Sequence, residues 1–197
     1  MIDISAILSL QQSSIIQWHQ QPVAVCRKDE PFSFIEENNQ WNFMLWHEED
    51  IARIKDIDPL RIVEAKRNID RYNQARNNAM EKIDEWILQR LHGLHIQPDA
   101  RLHSETPGMM IDRLSIMALK RYHMAEETER SDATEEHKRK CHDKVLVLDE
   151  QIADLNNCLV DILARLEKGE LQFKVYRQLK MYNDPALNPQ LYKREKQ

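Results

Sequence analysis

Residues 133–169 read ATEEHKRKCHDKVLVLDEQIADLNNCLVDILARLEKG. Within them Cys141, Val145, Leu148, Ile152, Leu155, Leu159, Ile162 and Leu166 follow one another at alternating spacings of four and three. That is the narrow apolar seam of a helix packed nearly parallel or antiparallel to a partner. Gly169 closes it, because glycine suits the left-handed backbone of a helix C-terminus. Asp132 with Glu135 three residues on reads as a variant capping box at its start. A helix over 133–168 is about 50 Å long at 1.5 Å per residue, so it needs partners of similar length.

The same punctuation supplies them. Asp58-Pro59 and Thr106-Pro107 each place a capping side chain before a proline at the first helical position, where the missing N–H has no partner in any case. Helices are predicted over 59–92, closed by Gly93, and over 107–130. The first carries Ile62, Ile69 and Ile83 on one stripe with Tyr72, Met80, Trp86 and Ile87. The second carries Met110, Leu114, Met117 and Met124, with Ile111, Ala118 and Ala125 beside them. Three such helices need at least one more to enclose a core. The sequence offers one near 3–18 (Ile4, Ile7, Leu8, Ile15, Trp18) and a shorter one near 40–56 (Trp41, Met44, Leu45, Ile51). Residues 19–39, with Pro22 and Pro31, read as an irregular connection anchored by Phe32 and Phe34. A short helix over 171–181 and a turn at Asn183-Asp184-Pro185 complete the tail. The expected fold is all-α: one domain over 1–197, a bundle of long antiparallel helices with shorter N- and C-terminal helices. Its parts are the N-terminal helix and connection at 1–39, the helical core at 40–170, and the C-terminal helix and tail at 171–197.

Composition narrows function by exclusion. The net charge of −5 argues against broad binding to nucleic acid or to an anionic membrane, both of which need surplus positive charge. Gly93, Gly108 and Gly169 are the only glycines, and their separation removes the Rossmann and P-loop phosphate cradles. No apolar run reaches the roughly 20 residues that span a bilayer, and the N-terminus lacks a secretory signal, so a cytoplasmic protein without membrane insertion is expected. Cys26, Cys141 and Cys158 show no CxxC spacing and read as free thiols.

Polar residues on apolar seams are the candidates for function. Arg76 lies seven residues from both Ile69 and Ile83, so the stripe that buries them carries a guanidinium inward. Asn73 and Asn77 flank it, and Lys66, Asp70, Asn73 and Asn77 form a polar ladder along one edge. A desolvated arginine needs carboxylate or carbonyl partners, and Asp112 on the next helix is the candidate. Two readings follow: a pocket for an anion or hydroxyl-rich ligand, or a structural network that fixes helix register. Trp46, Asp50 and Arg53 share a helix face beside His47-Glu48-Glu49, as a stacking platform or as core.

Metal chemistry finds no template. His92, His95 and His103 offer half a site at most, and His137 with Cys141 is more simply core. His123 precedes Glu126 and Glu127, but the Glu-x-x-His order of carboxylate-bridged di-iron proteins is missing. No metal site is expected. The acids Glu126, Glu127, Glu129, Asp149, Glu150 and Asp154 lack the full spacing of helical nucleotide pyrophosphohydrolases. Residues 83–91 match the opening helix of helical chorismate mutases only faintly.

Three stretches carry a resemblance: Leu45-Trp46-His47-Glu48-Glu49-Asp50 through Arg53; Lys66-Arg67-Asn68-Ile69-Asp70 with Asn73-Gln74-Ala75-Arg76-Asn77; and Glu105 through Ile116, followed by Leu119-Lys120 and Tyr122-His123-Met124. They are similar to the family catalogued as domain of unknown function 4254, over about residues 40–190, including the tail from Lys174 to Pro185. The resemblance implies a bacterial, cytosolic helical protein associated with surface polysaccharide assembly, and no particular reaction, catalytic residue or cofactor. The positions that spoil the seams lie within the matching stretches: Trp46, Asp50, Arg53, Lys66, Asp70, Asn73, Arg76, Asn77, Asp112, Arg113, Lys120 and Tyr122. Three functions remain in play: a binding or accessory protein for a small anionic or sugar-like ligand or a partner's segment; a metal-dependent hydrolase or transferase using Asp50, Asp70 or Asp112 with Arg76 as anion clamp; and a homodimeric interaction module.

Overall fold

A computed structural model describes residues 2–181 and 184–193. The chain is all-α. Its helices are α1 (Ile4–Trp18), α2 (Phe32–Ile51), α3 (Pro59–Leu91), α4 (Pro107–Glu129), α5 (Glu135–Glu167) and the single turn α6 (Pro189–Tyr192). The two-residue strands β1 (Arg101–Leu102) and β2 (Leu171–Gln172) pair in parallel. Sequential neighbours form two long hairpins, α2 with α3 and α4 with α5, and α1 lies against both α2 and α4.

The starts obey the capping chemistry. The Asp3 carboxylate accepts from the Ser5 and Ala6 N–H groups, Asp58 from Leu60, and Thr106 from Met109. At α5 the cap is Thr134, which accepts from the His137 N–H, rather than the expected Asp132; Asp132 turns aside to pair with Arg130 at 2.8 Å. Glu135 and Glu136 then occupy the first turn, where they complement the helix dipole. Gly93 and Gly169 both have positive φ, +85° and +68°.

Two other expectations give way. α2 begins at Phe32 and ends at Ile51, so the helix expected near 40–56 extends further towards the N-terminus and the irregular connection shrinks to 19–31. That connection is held by one buried carboxylate: Glu36 accepts from the Cys26 N–H at 2.8 Å and the Arg27 N–H at 2.7 Å. The tail forms no helix over 171–181. Leu171 and Phe173, both buried, alternate with the half-buried Gln172, a period-two pattern that suits a strand. Beyond β2 the chain runs back along α3, where Arg177 pairs with Glu81 and Glu85, and the Gln178 N–H donates to Glu81. Of the expected turn, Asn183 lies outside the described residues; the backbone turns at 185–187.

The main core joins α1 to α5 around Ile7, Ile35, Ile83, Ile87, Ile111, Leu114, Leu159 and Leu163, all buried. The α5 seam enters it through Ile152, Leu155, Leu159, Ile162 and Leu166, with Cys141 buried at the other end and Val145 and Leu148 half-buried between. α3 and α4 approach closely at Gly108, where a Cβ would stand 2.6 Å from the Met80 carbonyl oxygen and 2.8 Å from the Asp84 carboxyl carbon. That contact lets the Gly108 N–H donate to Asp84 at 2.7 Å while the Thr106 hydroxyl donates to the other carboxylate oxygen. Cys26, Cys141 and Cys158 are free thiols. Among the described residues no helix is long and apolar enough to cross a membrane.

Candidate functional site

Where α1, α2, α3 and α4 meet, the packing is polar. α2 turns Asn38, Asn39 and Asn42 inward, all buried, to face Gln11 of α1 and Asp112 and Ser115 of α4. The Asn38 and Asn42 amides donate to Asp112 Oδ1 at 2.9 and 3.0 Å. Asn42 also donates to the Ser115 hydroxyl at 3.1 Å, and Ser115 donates to Asn39 at 2.7 Å. Asn39 then donates to the Gln11 carbonyl, and the Gln11 amide to the Ile111 carbonyl. A buried chain of this kind is stable only when nearly every member finds a partner. Among the described residues the one exception within it is Gln11 Oε1.

Arg76 closes the network from α3. Its Nε donates to Asp112 Oδ1 at 2.8 Å and its Nη2 to Oδ2 at 2.6 Å, a bidentate fork. The two partners differ in burial: the Asp112 side chain is 5% exposed and that of Arg76 26%. The carboxylate is therefore sealed by protein, while the guanidinium forms part of a wall open to solvent.

That wall belongs to a cleft of about 380 Å³ between α2, α3 and α4. Of the residues singled out in the sequence, Trp46, Asp50, Arg53, Asn73 and Arg76 line it together. Arg53 pairs across one helical turn with Glu49 at 2.6 Å, so both guanidiniums already have carboxylate partners. Two further clefts adjoin. One of about 600 Å³ shares Trp46 and Asp50 and adds Lys120 and His123. The other, about 750 Å³ along the α4–α5 seam, shares Lys120 and adds Arg113, which pairs with Glu105 at 2.5 Å.

The remaining candidates do not join this surface. Lys66 and Asp70 pair with each other one turn apart on α3, outside these clefts, and Asn77 is half-buried outside them. Asp112 reaches the cleft through Arg76 and Asn42, both of which line it. Tyr122 stacks on His19, ring centroids 4.3 Å apart and 22° from parallel. One unexpected residue does approach: burial pushes Lys180 of the tail below its ordinary pKa, Arg76 adding to the effect and Asp70 opposing it. The acids proposed for a metal-dependent hydrolase do not converge. Among the described residues, no group of three or more carboxylates lies close enough to share an ion.

Sequence reasoning missed a second constellation behind Trp46. His19, which caps α1, His47 on α2 and His123 on α4 place one ring nitrogen each within 4.8 Å of those of the other two. Phe43, Trp46 and Tyr122 wall them in: Trp46 stacks on His123 with centroids 4.9 Å apart, and Phe43 meets His19 and His47 edge to face. Burial holds His47 below its ordinary pKa, and His123 and His19 add to the effect. No spacing relates these three histidines, because each comes from a different helix.

A helical bundle with a buried amide network and a mixed polar and aromatic cleft at its rim is thus the class that fold and site define. The chain belongs to the DUF4254 family, described as "Protein of unknown function (DUF4254)", whose model matches residues 33–175. The match runs from the second residue of α2 through α5 and β2 but ends short of the tail from Tyr176 onward. No curated protein and no solved structure matches the chain.

Proposed function

We propose that this protein is a binding or accessory protein whose 380 Å³ cleft takes a hydroxyl-rich, sugar-like ligand bearing at most a modest negative charge. The observation that carries this reading is the lining itself: the indole of Trp46 beside Asn73, Asp50, Arg53 and Arg76. An aromatic face supplies apolar contact to the C–H surface of a sugar, while planar amide, carboxylate and guanidinium groups match pairs of hydroxyls. The charge balance selects against a polyanion, because Glu49 and Asp112 already neutralise the two arginines and Asp50 adds a further carboxylate. The buried network behind Arg76 gives the cleft a rigid wall, which lowers the ordering cost of binding. A place beside enzymes of surface polysaccharide assembly rests on the family resemblance alone.

Thermal unfolding with neutral monosaccharides, sugar phosphates and nucleotide sugars tests it, since a ligand that binds only the folded state raises Tm. At least one member should raise Tm, and Trp46→Ala and Asn73→Ala should each weaken that effect tenfold or more while leaving the unliganded Tm within a few degrees. If none of the three classes moves the Tm of the wild type, the proposal fails.

A further inference from the structure

We propose that His19, His47 and His123 form a binding site for a single zinc-like divalent cation. Three independent features of the cluster point there. First, the Nε2 atoms of all three rings are buried, and among the described residues none has a hydrogen-bond partner. Buried ring nitrogens are ordinarily satisfied, and three unsatisfied ones in a single cluster need an explanation. Second, two of the tautomers are fixed from behind. His19 Nδ1 lies 2.8 Å from the Ile15 carbonyl oxygen and His123 Nδ1 lies 2.7 Å from Glu126 Oε2. Both contacts require the proton on Nδ1, which leaves the Nε2 lone pair of each ring directed elsewhere. A backbone carbonyl or carboxylate on the far nitrogen is the arrangement that orients imidazole ligands and raises their basicity. Third, the rings of Phe43, Trp46 and Tyr122 pack against the three imidazoles and make the interior poor in competing donors.

Alternatives meet the cluster less well. One water molecule donates two hydrogen bonds and leaves a third lone pair unmet. No direct ring-to-ring hydrogen bond satisfies the three nitrogens, since each Nε2 lacks a partner among the described residues. The dimensions favour an ion. A point equidistant from three nitrogens no more than 4.8 Å apart lies at most about 2.8 Å from each, against about 2.0–2.1 Å for a zinc–imidazole bond, so each ring need close by no more than about 0.7 Å. Neutral nitrogen donors without carboxylate suit zinc and its late first-row neighbours and disfavour magnesium and calcium. Three protein ligands also leave a fourth position for water or another small donor.

The test uses the full-length, untagged protein after chelator treatment, with zinc or cobalt(II) alone as probe. Calorimetric titration should give one ion per chain with a dissociation constant in the micromolar range or below, and saturation should raise Tm. His47→Asn and His123→Asn should each abolish stoichiometric binding, whereas His92→Ala and His95→Ala should leave it intact. Glu126→Gln should weaken it by about tenfold, the size of effect expected of a group that orients a ligand. Absence of stoichiometric uptake by the wild type, or uptake undiminished in His47→Asn and His123→Asn, overturns the proposal. X-ray absorption on the zinc-loaded wild type gives a reading independent of whether the variants fold: about three imidazole nitrogens near 2.0 Å support the site, and one or none refutes it. Sugar binding is measured separately in the presence of chelator, so the failure of either proposal leaves the other standing.

Discussion

Changing Asp84 to asparagine isolates a pH dependence that the close contact of α3 with α4 builds into the fold. Asp84 is 2% exposed, and burial pushes its carboxyl from an ordinary 3.8 up to about 6, although the Thr106 hydroxyl and Gly108 N–H both favour the charged form and oppose the shift. A folded-state pKa raised above the unfolded value contributes stability that is fully present below 3.8 and lost as pH rises through 6. At 1.36 kcal/mol per pH unit, the interval from 3.8 to about 6 amounts to about 3 kcal/mol, most of it falling between pH 4 and 7. Asparagine does not ionise, and its carbonyl still accepts from the Gly108 N–H. Urea unfolding of both proteins from pH 4 to 7 measures the difference, because every other titrating group is common to the two and cancels. The wild type should lose about 2–3 kcal/mol relative to Asp84→Asn across that range. A gap that stays constant, or one that moves in the wild type's favour as pH rises, would refute the account of Asp84 as a carboxyl whose ionisation the fold opposes.

Gly108→Ala pushes a methyl group into the Met80 carbonyl and the Asp84 carboxylate, so urea denaturation should show a loss of about 1–3 kcal/mol. Asp112→Ala strands the Arg76 guanidinium and the Asn38 and Asn42 amides, at a cost of about 3–5 kcal/mol, whereas Arg76→Met with Asp112→Leu should cost less than Asp112→Ala alone. Glu36→Gln removes the charge that holds the Cys26 and Arg27 N–H groups; amide exchange of 20–31 should accelerate about tenfold or more while that of α5 is unchanged.

The helix plan was legible wherever punctuation and apolar period agreed. Pro59, Pro107, Gly93 and Gly169 mark boundaries because proline and glycine act locally, and α5 reads clearly because one seam meets one partner. The first turns of α2 escaped notice for a physical reason. After Ile35 its buried positions run through Glu36, Asn38, Asn39 and Asn42 before the apolar Phe43 and Leu45, so the first turns show no continuous apolar stripe, and their polar face is recognisable only once Asp112 and Ser115 stand opposite. The pairing of Arg76 with Asp112 was readable because a cation seven residues from two buried isoleucines has few places to go. The histidine cluster was not: His19, His47 and His123 are brought together by the packing of α1, α2 and α4, and nothing local in any of them signals it. The tail is not legible as a strand because the alternation at 171–173 is too short to stand out from a helical pattern in the sequence, and β2 is defined through its register with β1.

That small parallel pair reaches further than its size suggests. Arg101 and Leu102 lie beside Leu171 and Gln172, the His103 N–H donates to the Gln172 carbonyl, and the Gln97 N–H donates to the Gly169 carbonyl. The whole of α4 and α5 thus forms a loop whose two mouths are fastened together, so a chain cut just before Leu171 would release both long helices at their shared base, whereas one cut after Phe173 would leave the fastening whole.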